Sequence, residues 1–161
     1  MISGLRQKPP EARHGFLQFS QKLDYGLFLL MELAKRDDKE PLSLRKFAEE
    51  HGMSFFFMQK AAFELRKAGI IQADRGKNGG YVLAKAADRL SLKQIVEVLE
   101  GPLSVMHCLV TEAAASNCSR QSRCQVRHGL GSVNMAIVNI FAQTTLAHLL
   151  HPSWKPAVGT T

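Results

Sequence analysis

At 161 residues the chain has the length of one domain with a modest core, and 45% hydrophobic against 22% charged residues is ordinary for a globular protein. No apolar run approaches the ~20 residues needed to span a bilayer, and the start of the chain around Pro9, Pro10 and Glu11 has no signal-peptide core, so no membrane association and a cytoplasmic location are expected. A formal net charge of +7 favours a polyanionic partner, nucleic acid first among them. Three cysteines, an odd number, argue against a closed disulfide framework.

Residues 1–16 mix Arg6, Lys8, Pro9, Pro10, Arg13 and His14 without periodicity, which predicts a disordered arm. From about 20 to 35, Leu23, Leu27, Leu30, Met31 and Ala34 mark one helix face. Asp24 lies in its first turn, where a carboxylate favours the helix end. After a polar connector, 44–51 reads as a brief helix with Ser43 placed to cap it and Gly52 to end it. Ser54 is a second candidate cap, and Met58, Ala61, Ala62 and Leu65 recur at helical spacing until Gly69. Two helices joined by a short Gly-containing turn are a helix-turn-helix pattern.

The other face of that second helix carries Phe56, Gln59, Lys60, Phe63, Arg66 and Lys67. Gln59 suits adenine, Phe56 suits a thymine methyl, and Lys60, Arg66 and Lys67 suit phosphates; Ser54 belongs to the same candidate DNA-binding set. The plainer reading is a solvated basic face. Two outward phenylalanines weigh against it, although they also suit burial elsewhere in the protein. Residues 70–73 and 81–83 are β-prone, and Gly76, Gly79 and Gly80 allow a tight hairpin with Arg75 and Lys77 at its tip. A basic hairpin directly after such a helix is a wing, able to place cations on phosphates or in the minor groove. It lacks the residue order of a nucleotide-binding loop.

Ser91 and Gln94 form a capping-box pattern ahead of Leu92, Ile95, Val96, Val98 and Leu99, so a helix is expected to about Glu100, where Gly101 and Pro102 end it. The head thus spans 17–100. Residues 101–125 form an irregular loop that includes Ala113, Ala114 and Ala115. From 119 to 150, Val126, Leu130, Val133, Ile137, Ile140, Thr144 and Ala147 alternate in steps of four and three, which keeps one seam facing a partner helix. Met135, Val138, Phe141, Leu146 and Leu149 add a second apolar face, more than a small head covers. A homodimer through this helix is expected, presenting two recognition helices to palindromic double-stranded DNA. Residues 151–161 are expected as a flexible tail, and His148, His151 and Trp154 as a frayed end without chemistry. The fold expected is mainly α with a small β-hairpin: a winged helix-turn-helix head and a long C-terminal dimerisation helix.

Cys108, Cys118 and Cys124 follow the pattern C-x9-C-x5-C. Thiolates this close can share one metal centre, but zinc and iron-sulfur clusters alike take four ligands. His107, His128 and Asp24 are the candidates for the fourth. Cys124 and His128 are four apart on one predicted helix face, whereas His107 adjoins Cys108, a poorer geometry. Arg120, Arg123 and Arg127 favour the thiolate that binds metal or meets oxidants. Structural zinc usually shows C-x-x-C pairs, and their absence moves weight towards an iron-sulfur cluster. Three incidental thiols are the plain alternative.

The chain resembles the winged-helix regulator family that includes IscR, NsrR and RirA, over about residues 17–150. The resemblance is carried by Lys22-Leu23-Asp24-Tyr25-Gly26-Leu27, Leu65-Arg66-Lys67-Ala68-Gly69-Ile70-Ile71, Arg75-Gly76 with Gly79-Gly80-Tyr81-Val82-Leu83, Glu100-Gly101-Pro102, the three cysteines, and Thr144-Thr145-Leu146-Ala147. It implies a dimeric transcription factor whose cysteines hold an iron-sulfur cluster near the dimer interface, with cluster loss or modification altering operator affinity. Cys108, Cys118 and Cys124 match the ligand positions, though the first interval is longer than is common. Where IscR-like members carry a histidine ligand this chain has Arg127, with His128 next. Asp24 stands at the place of the NsrR-like aspartate ligand, and is favoured over His128.

The function expected is a sequence-specific DNA-binding regulator, a repressor in the first reading. Its operator affinity would follow a 2Fe-2S or 4Fe-4S cluster sensing iron status, redox state or nitric oxide. A regulator with a zinc or thiol-oxidation site is the alternative, and a protein-binding module is a more distant one. An enzyme is not expected: the sequence shows no nucleophile with a placed base, no paired carboxylates and no cofactor loop.

Overall fold

The computed structural model describes residues 19–36, 40–74, 79–111 and 118–156. Helix α1 (Gln21–Lys35) begins at Ser20, whose extended backbone lets its hydroxyl accept the Leu23 amide at 3.2 Å. Helices α2 (Leu44–Glu50) and α3 (Phe55–Lys67) meet at a corner turned by Gly52, which takes a φ of 62° that side chains avoid. Strands β1 (Ile71–Asp74) and β2 (Gly80–Leu83) pair antiparallel, Ile71 opposite Leu83 and Asp74 opposite Gly80. Leu42 adds a short third edge to this wing. Its amide donates to the Tyr81 carbonyl at 2.9 Å, and its carbonyl accepts the Tyr81 amide at 3.0 Å.

Helix α4 (Leu92–Glu100) follows, capped by Ser91, which accepts the Gln94 amide at 3.2 Å. The Ser20 hydroxyl donates to the Glu100 carboxylate, so the start of α1 is held to the end of α4. Leu23, Leu30, Met58, Leu65, Ile95 and Leu99 are buried where α1, α3 and α4 cross. The crossing is close enough to require Gly26: a Cβ there would stand 2.5 Å from Leu99 Cδ1 and 3.5 Å from Ala61 Cβ. The architecture is mainly α with one antiparallel hairpin, as the periodicities predict.

The long C-terminal helix departs from its expected span of 119–150. Helix α5 covers Gln125–Gln143, and a separate turn, α6, covers Leu146–Leu149. Its start is displaced because Cys124 is the N-cap, after a 3-10 turn at Gln121–Arg123. Its end comes early because Thr144 and Thr145 turn extended and pair with the head: the Leu92 amide donates to the Thr144 carbonyl at 2.7 Å and the Leu146 amide to the Leu90 carbonyl at 2.8 Å. Leu146 is thereby fully buried and Thr144 nearly so. The predicted seam therefore stops at Ile140, with Thr144 and Ala147 belonging to the docked segment.

The end of the described chain is not frayed either. The Thr145 hydroxyl accepts the His148 amide at 3.3 Å, His148 Nδ1 accepts the Thr145 amide at 3.1 Å, and the His148 ring stacks on Trp154 at 4.6 Å. Ser43 and Ser54 occupy N-cap positions, but neither side chain makes the cap hydrogen bond its residue type predicts. The expected arm 1–16, the wing tip with Arg75 and Lys77, Ala113 to Ala115 and the last residues of the tail lie outside the described residues.

Candidate nucleic-acid interface and cysteine loop

The inner side of α3 buries Met58, Ala61, Ala62 and Leu65. Helical periodicity then turns Phe56, Gln59, Lys60, Phe63, Arg66 and Lys67 outward, and all six are exposed. Phe56 and Phe63 keep 58% and 54% of their surface, so the described residues do not bury them. Lys60 Nζ lies 4.2 Å from the Phe56 ring centroid, while Phe56 meets Phe57 edge-on at 5.5 Å. Phe57 in turn meets Tyr25 of α1 edge-on at 6.3 Å, which ties the first turn of α3 to the head. Ser54 is exposed at the helix start, its amide 3.4 Å from the Tyr25 hydroxyl.

The sequence reading passed over Arg45. From the start of α2 its guanidinium lies 4.7 Å from the ring centroid of Phe55, the first residue of α3, so the α2–α3 corner carries a cation beside Ser54. The signal available was Arg45 and Lys46 directly after the buried Leu44. Only the packing of the two helices shows which of them adjoins α3.

The turn at 107–109, which carries Cys108, lies against α5. Cys108 is half-buried in the 3-10 turn His107–Leu109, Cys118 is exposed, Cys124 is half-buried, and none is in a disulfide. Cys124 Sγ accepts the Arg127 amide at 3.4 Å and so caps α5. Asn134, the buried side chain of α5, holds the loop before Cys108: its Oδ1 accepts the Val105 amide at 2.9 Å. A groove of about 460 Å³ opens beside Cys108, between Arg127, Asn134 and Met135.

Asp24, His107 and His128 are all exposed. Among the described residues, no three side chains of His, Cys, Asp or Glu come together as a metal site. The donors named from the sequence are thus present but not gathered in this conformation. Along α5, by contrast, Val126, Leu130, Val133 and Met135 stand exposed, since the helix packs mainly on α4 and the turn at 107–109.

Among the described residues no helix is long and apolar enough to cross a membrane. The family model for Rrf2, iron-dependent transcriptional regulator, matches residues 19–152. The rrf2-like HTH-type regulator of Rhodobacter capsulatus is 30% identical over 136 residues, 81% of this chain and 91% of that protein. The structure of CymR, the global cysteine regulator of B. subtilis, has a TM-score of 0.66 at 31% identity, covering 83% of this chain and 96% of that one. IscR of T. potens has a TM-score of 0.65 at 28% identity, covering 83% and 86%. Such relatives are winged-helix transcription regulators rather than enzymes, and proteins of this kind bind DNA. With residues 19–152 matched, the helix-turn-helix and the wing among them, the protein belongs to the Rrf2 family of transcriptional regulators.

Proposed function

We propose that the protein is a cytoplasmic homodimeric repressor of a palindromic operator, its affinity set by an iron-sulfur cluster, 2Fe-2S or 4Fe-4S, on Cys108, Cys118 and Cys124. The observation that carries this reading is the double role of α5. The helix starts on the sulfur of Cys124 and then runs nineteen residues with only Asn134 buried, leaving Val126, Leu130 and Val133 without a cover among the described residues. A second copy is the apolar partner that such a seam fits, and one helix then joins the sulfur site to the dimer contact.

The donor set suits the cluster in kind: three thiols outside any disulfide, within seventeen residues, on a loop already fastened to α5 through Val105 and Asn134. Among the described residues they do not form a site, so loading requires Cys108, Cys118 and Cys124 to approach one another. Asp24 is the favoured fourth donor and His128 the alternative. When bound, the cluster would tie these thiolates together through its iron atoms, a link sensitive to iron loss, oxidation or nitric oxide. The chain does the rest. Movement of the loop reaches α5 at Cys124 and Asn134, and α5 passes it to the head where Thr144 receives the Leu92 amide. On the DNA side, Ser54, Phe56, Gln59, Lys60, Arg66 and Lys67 face the duplex, with Arg45 at the corner and Arg75 and Lys77 on the wing. A coupling of ~1 to 3 kcal/mol changes operator affinity about 5- to 150-fold.

The test is anaerobic purification followed by visible and electron-resonance spectra with iron and sulfide analysis. A coloured protein with both elements is expected; a colourless one with neither, after reconstitution, removes the cluster. A second reading keeps the DNA-binding head and makes the cysteines a thiol-oxidation or zinc site. It is favoured by the exposure of Cys118, which leaves a thiol open to oxidants, and by likeness to a cysteine regulator. Zinc content and thiol titration before and after peroxide separate the two.

A further inference from the structure

We propose that Phe56 and Lys60 act as one base-reading unit, the Phe56 ring on a thymine methyl and the Lys60 ammonium on a guanine of a neighbouring base pair. The proposal rests on the DNA-binding reading and goes beyond it, because it takes Lys60 off the phosphates and gives the operator a composition.

Phe56 sits in the first turn of α3, the part of a recognition helix that meets base edges. Its ring is 58% exposed although Phe57 stands edge-on at 5.5 Å, and Phe57 itself leans on Tyr25. The ring is therefore steadied by Phe57 on one side and neighboured by Lys60, and its exposed remainder is open to an apolar surface from outside. On the base edges of the major groove, that surface is the thymine C5 methyl.

Lys60 follows one turn later on the same face. Its Nζ lies 4.2 Å from the Phe56 centroid rather than reaching out along the flank of the helix, where phosphates pass. The attraction between an ammonium and an exposed ring is weak, so it biases the lysine without locking it. The bias directs the cation to the base edges that Phe56 addresses, and the groove acceptors that suit lysine there are guanine O6 and N7. One helical turn advances ~5.4 Å and one base pair ~3.4 Å. The guanine is therefore expected within about two base pairs of the thymine.

The experiment selects duplexes from a random library with the full chain, then replaces each thymine of the best duplex by deoxyuridine, which removes only the methyl. One thymine per half-site should lose affinity about three- to ten-fold on that change. Phe56→Ala should abolish that sensitivity while Phe56→Leu, still apolar, keeps part of it. Lys60→Met should flatten the preference for the nearby guanine. The proposal is overturned if no thymine responds, if the response survives in Phe56→Ala, or if Lys60→Met weakens all sequences equally, as a phosphate contact would. Failure to select any duplex overturns the DNA-binding reading itself and so is distinct from these.

Discussion

The side-chain carbonyl of Asn134 accepts the backbone amide of Val105 at 2.9 Å, with the Ser104 hydroxyl 3.1 Å from the same oxygen. Asn134 is 9% exposed on a helix otherwise only partly covered, so its burial comes from this contact with the chain leading to Cys108. Asn134→Leu keeps the branched shape of the side chain, in a somewhat larger form, and leaves the Val105 amide without its acceptor. Loss of about 1–3 kcal/mol is expected in urea unfolding, with amide exchange at 104–106 accelerated and that of α3 unchanged. Unchanged exchange at 104–106 would show that the loop is held by something else.

Cys124 allows the fold to be separated from the proposed sensing. Serine is a better N-cap than cysteine, because a hydroxyl accepts an amide more strongly than a thiol does. Cys124→Ser should therefore fold with α5 at least as stable, measured by circular dichroism, while iron content falls. Cys124→Ala should lose both, the helix start weakening by about 1 kcal/mol.

The close crossing of α1 with α4 predicts that Gly26→Val destabilises the head by about 1–3 kcal/mol, since Leu99 is buried and has little room to retreat. Trimming the obstacle should help. In the double variant with Leu99→Ala, urea midpoints should show less destabilisation than the two single changes summed.

Val133→Asp tests the proposed dimer without touching the core, because Val133 is 47% exposed in the single chain. Sedimentation should show a monomer with an unaltered thermal transition of the head. A persistent dimer would move the interface off this seam.

Arg66→Ala and Lys67→Ala, at the far end of α3, should weaken binding evenly across sequences. Each should lower the slope of log affinity against log salt by about one, as the loss of a phosphate contact does. Arg45→Ala should behave in the same way, with its partner Phe55 left in place.

The head was legible because its signals are local. Gly52 and Gly69 follow α2 and α3, the latter made visible by the period of Met58, Ala61, Ala62 and Leu65, and both glycines take the positive φ that ending a helix demands. The break in the long helix was hidden for the converse reason. Thr144 and Ala147 continue the seam spacing, and what ends α5 is pairing with Leu90 and Leu92, more than fifty residues earlier in the chain. Leu42 beside Tyr81 and Arg45 over Phe55 are likewise contacts between elements, which no period announces. Residue type placed Ser43 and Ser54 at helix starts but does not decide whether the hydroxyl turns to the helix. The cysteine spacing named candidate sulfur donors and carries no information about a fourth, and among the described residues Asp24 and His128 do not join the cysteines in a site.

The most direct test is a fluorescence-anisotropy titration of a selected inverted-repeat duplex with the same protein, anaerobically loaded and then stripped of iron. Two curves displaced by about 5- to 150-fold in Kd are predicted. Superimposed curves, or no binding in either state, would contradict the account.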